Sequence, residues 1–137
     1  MRKEESYKRQ CARACLLVPL LCCAMSSPLA ATLDSKTTSA LVSGRTWQLK
    51  KPRGPGYDYW SWNADGSLCM RLGEKTGNCA DTGRWKLEGE RLCYELTWWG
   101  AETKMKSACF RVSDLGKDHY GALQDNGLNL FEFSPVK

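Results

Sequence analysis

The stretch Arg91-Leu92-Cys93-Tyr94-Glu95-Leu96-Thr97-Trp98-Trp99, followed after Gly100-Ala101-Glu102 by a second run from Lys104 to Ser113, decides the fold class. Its apolar residues alternate. Leu92, Tyr94, Leu96 and Trp98 fall on one side of an extended chain, and Cys93, Glu95, Thr97 and Trp99 on the other. In the second run Ala108, Phe110 and Val112 share a face, with Cys109 and Arg111 opposite. Folding the two runs about Ala101 sets Cys93 against Cys109, Leu92 against Phe110 and Tyr94 against Ala108. One register therefore builds an apolar face and aligns two cysteines at once.

Outward from this hairpin the pattern repeats. Gly-bearing turns stand at 51–56, 64–66, 73–77, 88–90, 100–102, 114–117 and 125–127. Glycine supplies the positive φ that tight hairpins require. Between the turns lie eight runs rich in aromatic and β-branched residues, about 45–50, 57–63, 67–72, 80–87, 91–99, 104–113, 118–124 and 128–133. No stretch of ten residues after position 31 has a 3.6-residue period. These features predict an all-β domain over 44–137, a small eight-stranded antiparallel meander that closes into a barrel and so removes its edges. An open curled sheet is the rival arrangement.

The eight cysteines divide into two groups. Cys11, Cys15, Cys22 and Cys23 lie in residues 1–31, which carry a basic start, twelve apolar residues at 14–25 and small residues ending at Ala30-Ala31. That order is that of a secretory signal, with cleavage expected after Ala31. Twelve apolar residues fall short of the roughly twenty that span a bilayer, so no transmembrane anchor is expected after cleavage. Leu20-Leu21 before Cys22 suits a lipoprotein signal poorly. Residues 32–43 read as a polar tether. Export implies a periplasmic or extracellular location, where disulfides persist.

Cys69, Cys79, Cys93 and Cys109 belong to the domain itself. Four cysteines allow three pairings. The hairpin folds favour Cys93 with Cys109 about Ala101, and Cys69 with Cys79 about Glu74. Spacings of ten and sixteen residues without a C-x-x-C argue against zinc, and no metal or cofactor is expected.

The chain carries 20 basic and 15 acidic residues, a net charge of +5. Without residues 1–31 the balance is 15 against 13, which excludes nucleic acid as an expected partner. Catalytic groups are sparse. His119 is the single histidine, the serines lack a nucleophile-elbow context, and Asp58, Asp65, Glu74, Asp81, Glu88, Glu90, Glu95 and Glu102 lie mainly at turns. Asp65-Gly66 and Asp125-Asn126-Gly127 lack the alternating oxygens of a calcium loop. The domain is read as non-enzymatic.

All six tryptophans come after position 31. Run 57–63 puts Tyr57 and Tyr59 on one face and Trp60 and Trp62 on the other, and Trp98 and Trp99 must also diverge. Two strands thus offer large aromatics on both sides, while one core needs one side. The six residues Tyr57, Tyr59, Trp60, Trp62, Trp98 and Trp99 are the candidate ligand-binding set, at a barrel mouth or surface. Packing of the outer set over loops is the alternative.

Gly44-Arg45-Thr46-Trp47, Ala64-Asp65-Gly66, Gly83-Arg84-Trp85, Arg91-Leu92-Cys93-Tyr94, Trp98 and Cys109-Phe110 together resemble a family of small exported proteobacterial domains of unknown function. The resemblance spans about residues 44–112 and implies a Cys93–Cys109 pair, with Cys69 and Cys79 an added pair. It supplies no catalytic residues. Gly44-x-Thr46-Trp47 and Gly83-x-Trp85 are also similar to the Gly-x-Trp start of lipocalin-type barrels. Two functions are expected in turn: binding of a small apolar or amphipathic molecule by a monomeric barrel, or binding of an envelope protein, as inhibitors of lysozyme-like hydrolases do.

Overall fold

A computed structural model describes residues 30–51 and 54–137, so nearly all of the signal segment lies outside the described residues. Eight strands run in chain order: β1 (Arg45–Lys50), β2 (Tyr57–Trp62), β3 (Ser67–Leu72), β4 (Asp81–Glu88), β5 (Arg91–Leu96), β6 (Ser107–Gly116), β7 (His119–Leu123) and β8 (Asn129–Pro135). Each pairs antiparallel with the next, and β8 returns to β1 through Trp47↔Pro135 and Leu49↔Phe133. The meander is a closed barrel. Closure gives every strand two neighbours, which a sheet of eight short strands otherwise lacks at its edges.

The strand limits differ most from expectation around two turns: β5 stops at Leu96 and β6 starts only at Ser107, and β6 also ends late. β6 runs on to Gly116 through a bulge at Asp114/Gly116, and the turn to β7 is Lys117-Asp118, both with positive φ (54° and 58°). Two adjacent left-handed residues match the twist of a two-residue hairpin, so the chain turns later than the glycine suggests.

The barrel interior is filled by side chains. Trp47, Trp60, Trp62, Leu68, Met70, Leu92, Tyr94, Leu96, Phe110, Val112, Ala122 and Phe133 are buried in one cluster. The rings meet mostly edge to face: Trp60–Tyr94 at 5.0 Å, Trp47–Phe133 at 5.2 Å and Phe110–Phe131 at 5.3 Å between centroids. Each large side chain removed from water contributes about 1.5–3 kcal/mol. Edge-on contacts add about 0.5–1.5 kcal/mol per pair. The interior therefore holds core, and the barrel is stabilised by what fills it.

In an up-and-down barrel the β1–β2, β3–β4, β5–β6 and β7–β8 connections share one end. The other end carries a helix. Residues 32–43, expected as a tether, instead form α1 (Ser35–Val42). Asp34 caps it, its Oδ1 accepting from the Thr37 N–H at 2.7 Å. Thr38 and Val42, four residues apart and so on one helix face, are fully buried. The helix touches β1 and β5, which stand half the barrel's circumference apart, so it lies across the opening. Thr32 bridges to Ser113, and the Leu33 N–H donates to the Val112 carbonyl at 2.8 Å. This extends the sheet where β6 outruns β5. The tether reading fails because eight residues with two buried positions are too short to declare a period.

Both disulfides join the expected partners, Cys69–Cys79 and Cys93–Cys109. Cys93 and Cys109 face each other across β5 and β6, with Leu92↔Phe110 and Tyr94↔Ala108 beside them. Cys69 lies opposite Thr82 rather than Cys79. Cys79 precedes β4, so this bridge pins the β3–β4 loop to the barrel wall rather than stapling two facing strands. Arg71 ties down the same loop, donating to the Gly77 carbonyl at 2.9 Å.

Candidate functional site

The six candidate aromatics separate. Trp60 and Trp62 point inward from β2 and are core, 0% and 3% exposed. Tyr59 points outward yet is buried, between Gln48 of β1 and Arg71 of β3 in the register. Tyr57 is exposed at the strand's start. Alternation along 91–99 puts Trp98 with the core residues and Trp99 with the outer face. The structure reverses this. β5 ends at Leu96, Trp98 is 54% exposed, and Trp99 packs edge-on against Trp60 at 5.7 Å. Alternation stops with the strand, and a buried carboxylate holds the backbone of both tryptophans.

That carboxylate is Asp81, at the start of β4 and 4% exposed. Its Oδ2 accepts the backbone N–H groups of Trp98 and Trp99 at 2.9 and 2.8 Å, and its Oδ1 accepts that of Thr82 at 2.8 Å. Burial disfavours the charge, but the N–H groups of Trp99, Trp98, Thr82 and Thr97 outweigh it and hold the carboxyl below its ordinary value. Beyond the tryptophans the chain closes a compact corner. Gly100 is left-handed (φ 75°), and a Cβ there would strike the Met105 backbone at 2.8 Å. The Gly100 carbonyl accepts from the N–H groups of Thr103 and Met105. The Tyr94 hydroxyl reaches from inside the barrel to the Met105 carbonyl at 2.7 Å, and burial raises its pKa well above the ordinary tyrosine value. An exposed indole is thus carried on a stiff support.

Trp98, Trp99, Gly100, Ala101, Glu102 and Thr103 line a surface pocket of about 500 Å³ at this corner. The same barrel end holds three more exposed apolar side chains, Tyr57, Leu72 and Leu128. Of the exposed large apolar residues among those described, Leu115 alone belongs to the helix end. Asp58 points inward at the mouth, 8% exposed, with Lys51 Nζ 3.9 Å from its Oδ1. Burial raises its pKa, against the pull of Lys51 and the Gly73 N–H.

A second depression, about 600 Å³, lies on the outer wall of β4, β5 and β6. The Cys93–Cys109 bridge and Ser107 line it together with the longer Arg84, Lys86, Glu88 and Glu95. Glu88 lies near both sulfurs, but the disulfide leaves no thiolate to ligate a metal. His119 meets Glu132 at 2.7 Å on the exposed surface.

Sequence reasoning misses the role of Asp81, which reads as a turn carboxylate. Beyond the adjacent Thr82, its partners lie 17 and 18 residues away, so no local pattern marks it. The chain matches no protein-family model, no curated protein and no solved structure in comparison.

Proposed function

We propose that this is an exported, non-catalytic binding domain that recognises a partner protein of the cell envelope through the outside of its barrel. One observation carries the reading: the interior is packed, while Trp98, Tyr57, Leu72 and Leu128 expose apolar surface around a single barrel end. Exposed apolar side chains gathered at one place mark contact sites, with tryptophan and tyrosine prominent among binding hot spots. The signal-like residues 1–31 and the two disulfides support an oxidising, exported setting. Inhibitors of lysozyme-like hydrolases are one kind of partner-binding module that fits this description.

Site-specific photocross-linking in the exporting cell tests it. A cross-linker at position 98 or 128 is expected to give a discrete protein adduct, competed by excess domain but not by its Trp98→Ala variant. The same chemistry at Leu115, on the opposite end, serves as the control. No discrete adduct, or the same adducts from both ends, refutes the reading. A second reading, a small amphipathic ligand, is favoured by the 500 Å³ corner pocket, a volume in the range of small-molecule sites. A molecule retained in the native mass spectrum would select it.

A further inference from the structure

We infer that the β5–β6 corner is a seat for an ammonium group, so that the partner or ligand docks by offering a positively charged nitrogen to Trp98. The inference rests on the binding reading above and names the chemistry the site takes. Three observations carry it. The corner pocket is lined by Trp98, Trp99 and one charged residue, Glu102, with no cation among its lining residues. A cation over an indole face is attracted by the ring's quadrupole, and a nearby carboxylate adds direct charge pairing. Second, the Asp81 carboxylate lies buried behind the corner, bound to the N–H groups of Trp98 and Trp99, and adds negative charge under the same two residues. Third, the support is rigid. Trp98 is half exposed, yet the backbone on both sides of it is fixed by the Asp81 clip and by the closed turn at Gly100. Pre-positioning an aromatic surface lowers the entropy that binding must overcome. A tryptophan that merely covered the barrel would gain nothing from facing solvent.

The shared chemistry could come from a small quaternary amine or from a lysine of a partner protein. Indole N–H resonances of the oxidised domain can be followed on titration with choline, with its uncharged isostere 3,3-dimethyl-1-butanol, and with N-acetyl-lysine amide. Choline or the lysine amide is expected to shift the Trp98 resonance saturably, while the isostere does not. Trp98→Ala and Glu102→Gln are each expected to weaken the cation's binding roughly three- to tenfold. Both positions are exposed, and an unchanged spectrum elsewhere shows that the fold is intact. Preference for choline identifies a small amine, and preference for the lysine amide a protein side chain. Equal shifts with the isostere, or no shift with either cation, overturn the inference. If position 98 still cross-links a partner in that case, the binding reading survives and the ammonium chemistry alone falls.

Discussion

Replacing Asp81 tests how the corner is held. The carboxylate accepts three backbone N–H groups, from Thr82, Trp98 and Trp99, while almost fully buried. Asp81→Asn is nearly isosteric. The amide oxygen can still accept from Trp98 and Trp99, but the NH2 group is then turned toward the Thr82 N–H, donor against donor. Hydrogen bonds to a charged group are each worth about 1.5–3 kcal/mol, so losing one and weakening two should cost about 2–3 kcal/mol. Asp81→Ala leaves all three donors unmet and should cost about 4 kcal/mol. Against a total of about 5–15 kcal/mol for a domain, either loss is large, and for about 100 residues the first lowers Tm by roughly 10–20 °C. The assay is urea unfolding of the oxidised proteins, monitored by tryptophan fluorescence and repeated from pH 7 to pH 2.5. Because the folded pKa of Asp81 lies below its ordinary value of 3.8, its stabilisation is present above that value and fades as pH falls through the lower folded one. The difference between wild type and Asp81→Asn should therefore be full at pH 7 and shrink below about pH 4. A variant within about 0.5 kcal/mol of wild type, or a difference that does not shrink in acid, refutes the clip.

Asp58 has the opposite sign. Its pKa is raised by burial, so its contribution is full below the ordinary value and lost as pH rises through the folded one; Asp58→Asn should stabilise by about 1 kcal/mol at pH 7, and the gain should vanish in acid. Urea midpoints at both pH values check it. Converting Cys93 and Cys109 to Ala should cost about 3 kcal/mol, and Cys69 and Cys79 slightly less, as loops of 16 and 10 residues imply; guanidinium unfolding ranks them. Gly83 faces β5, where a Cβ would collide with the Glu95 carbonyl, so Gly83→Ala should lose at least about 3 kcal/mol or fail to yield folded protein, read by near-ultraviolet circular dichroism. Trp98→Ala should shift stability by less than about 0.5 kcal/mol, whereas Trp99→Ala, which uncovers Trp60, should cost about 2 kcal/mol; the pair is compared by thermal melts.

The strands are legible because their information is local. Alternation along 91–96 and 107–112, with turns between, needs only neighbours in sequence, and the register that aligns Cys93 with Cys109 also pairs Leu92 with Phe110. The second bridge is legible only through a geometry the fold does not have, since β3 and β4 pair with Cys69 opposite Thr82. The site is less legible. Trp60 and Trp62 read as ligand-facing, but a narrow closed barrel turns one face of every strand inward and needs large rings to fill it. Trp98 and Trp99 stand out as candidates in the sequence, but with their directions exchanged.

The sequence by itself determined an eight-run β domain, its closure-prone meander and the register that pairs Cys93 with Cys109, since each depends on alternation, turn residues and distances of a few positions along the chain. Only the tertiary structure decided that the interior is full, that residues 35–42 form a helical cover over one end, and that Trp98 rather than Trp99 meets solvent. These depend on volume and on contacts between distant strands. One buried carboxylate on β4 reaches across to the end of β5 and stops the alternation that reading along the chain would have continued.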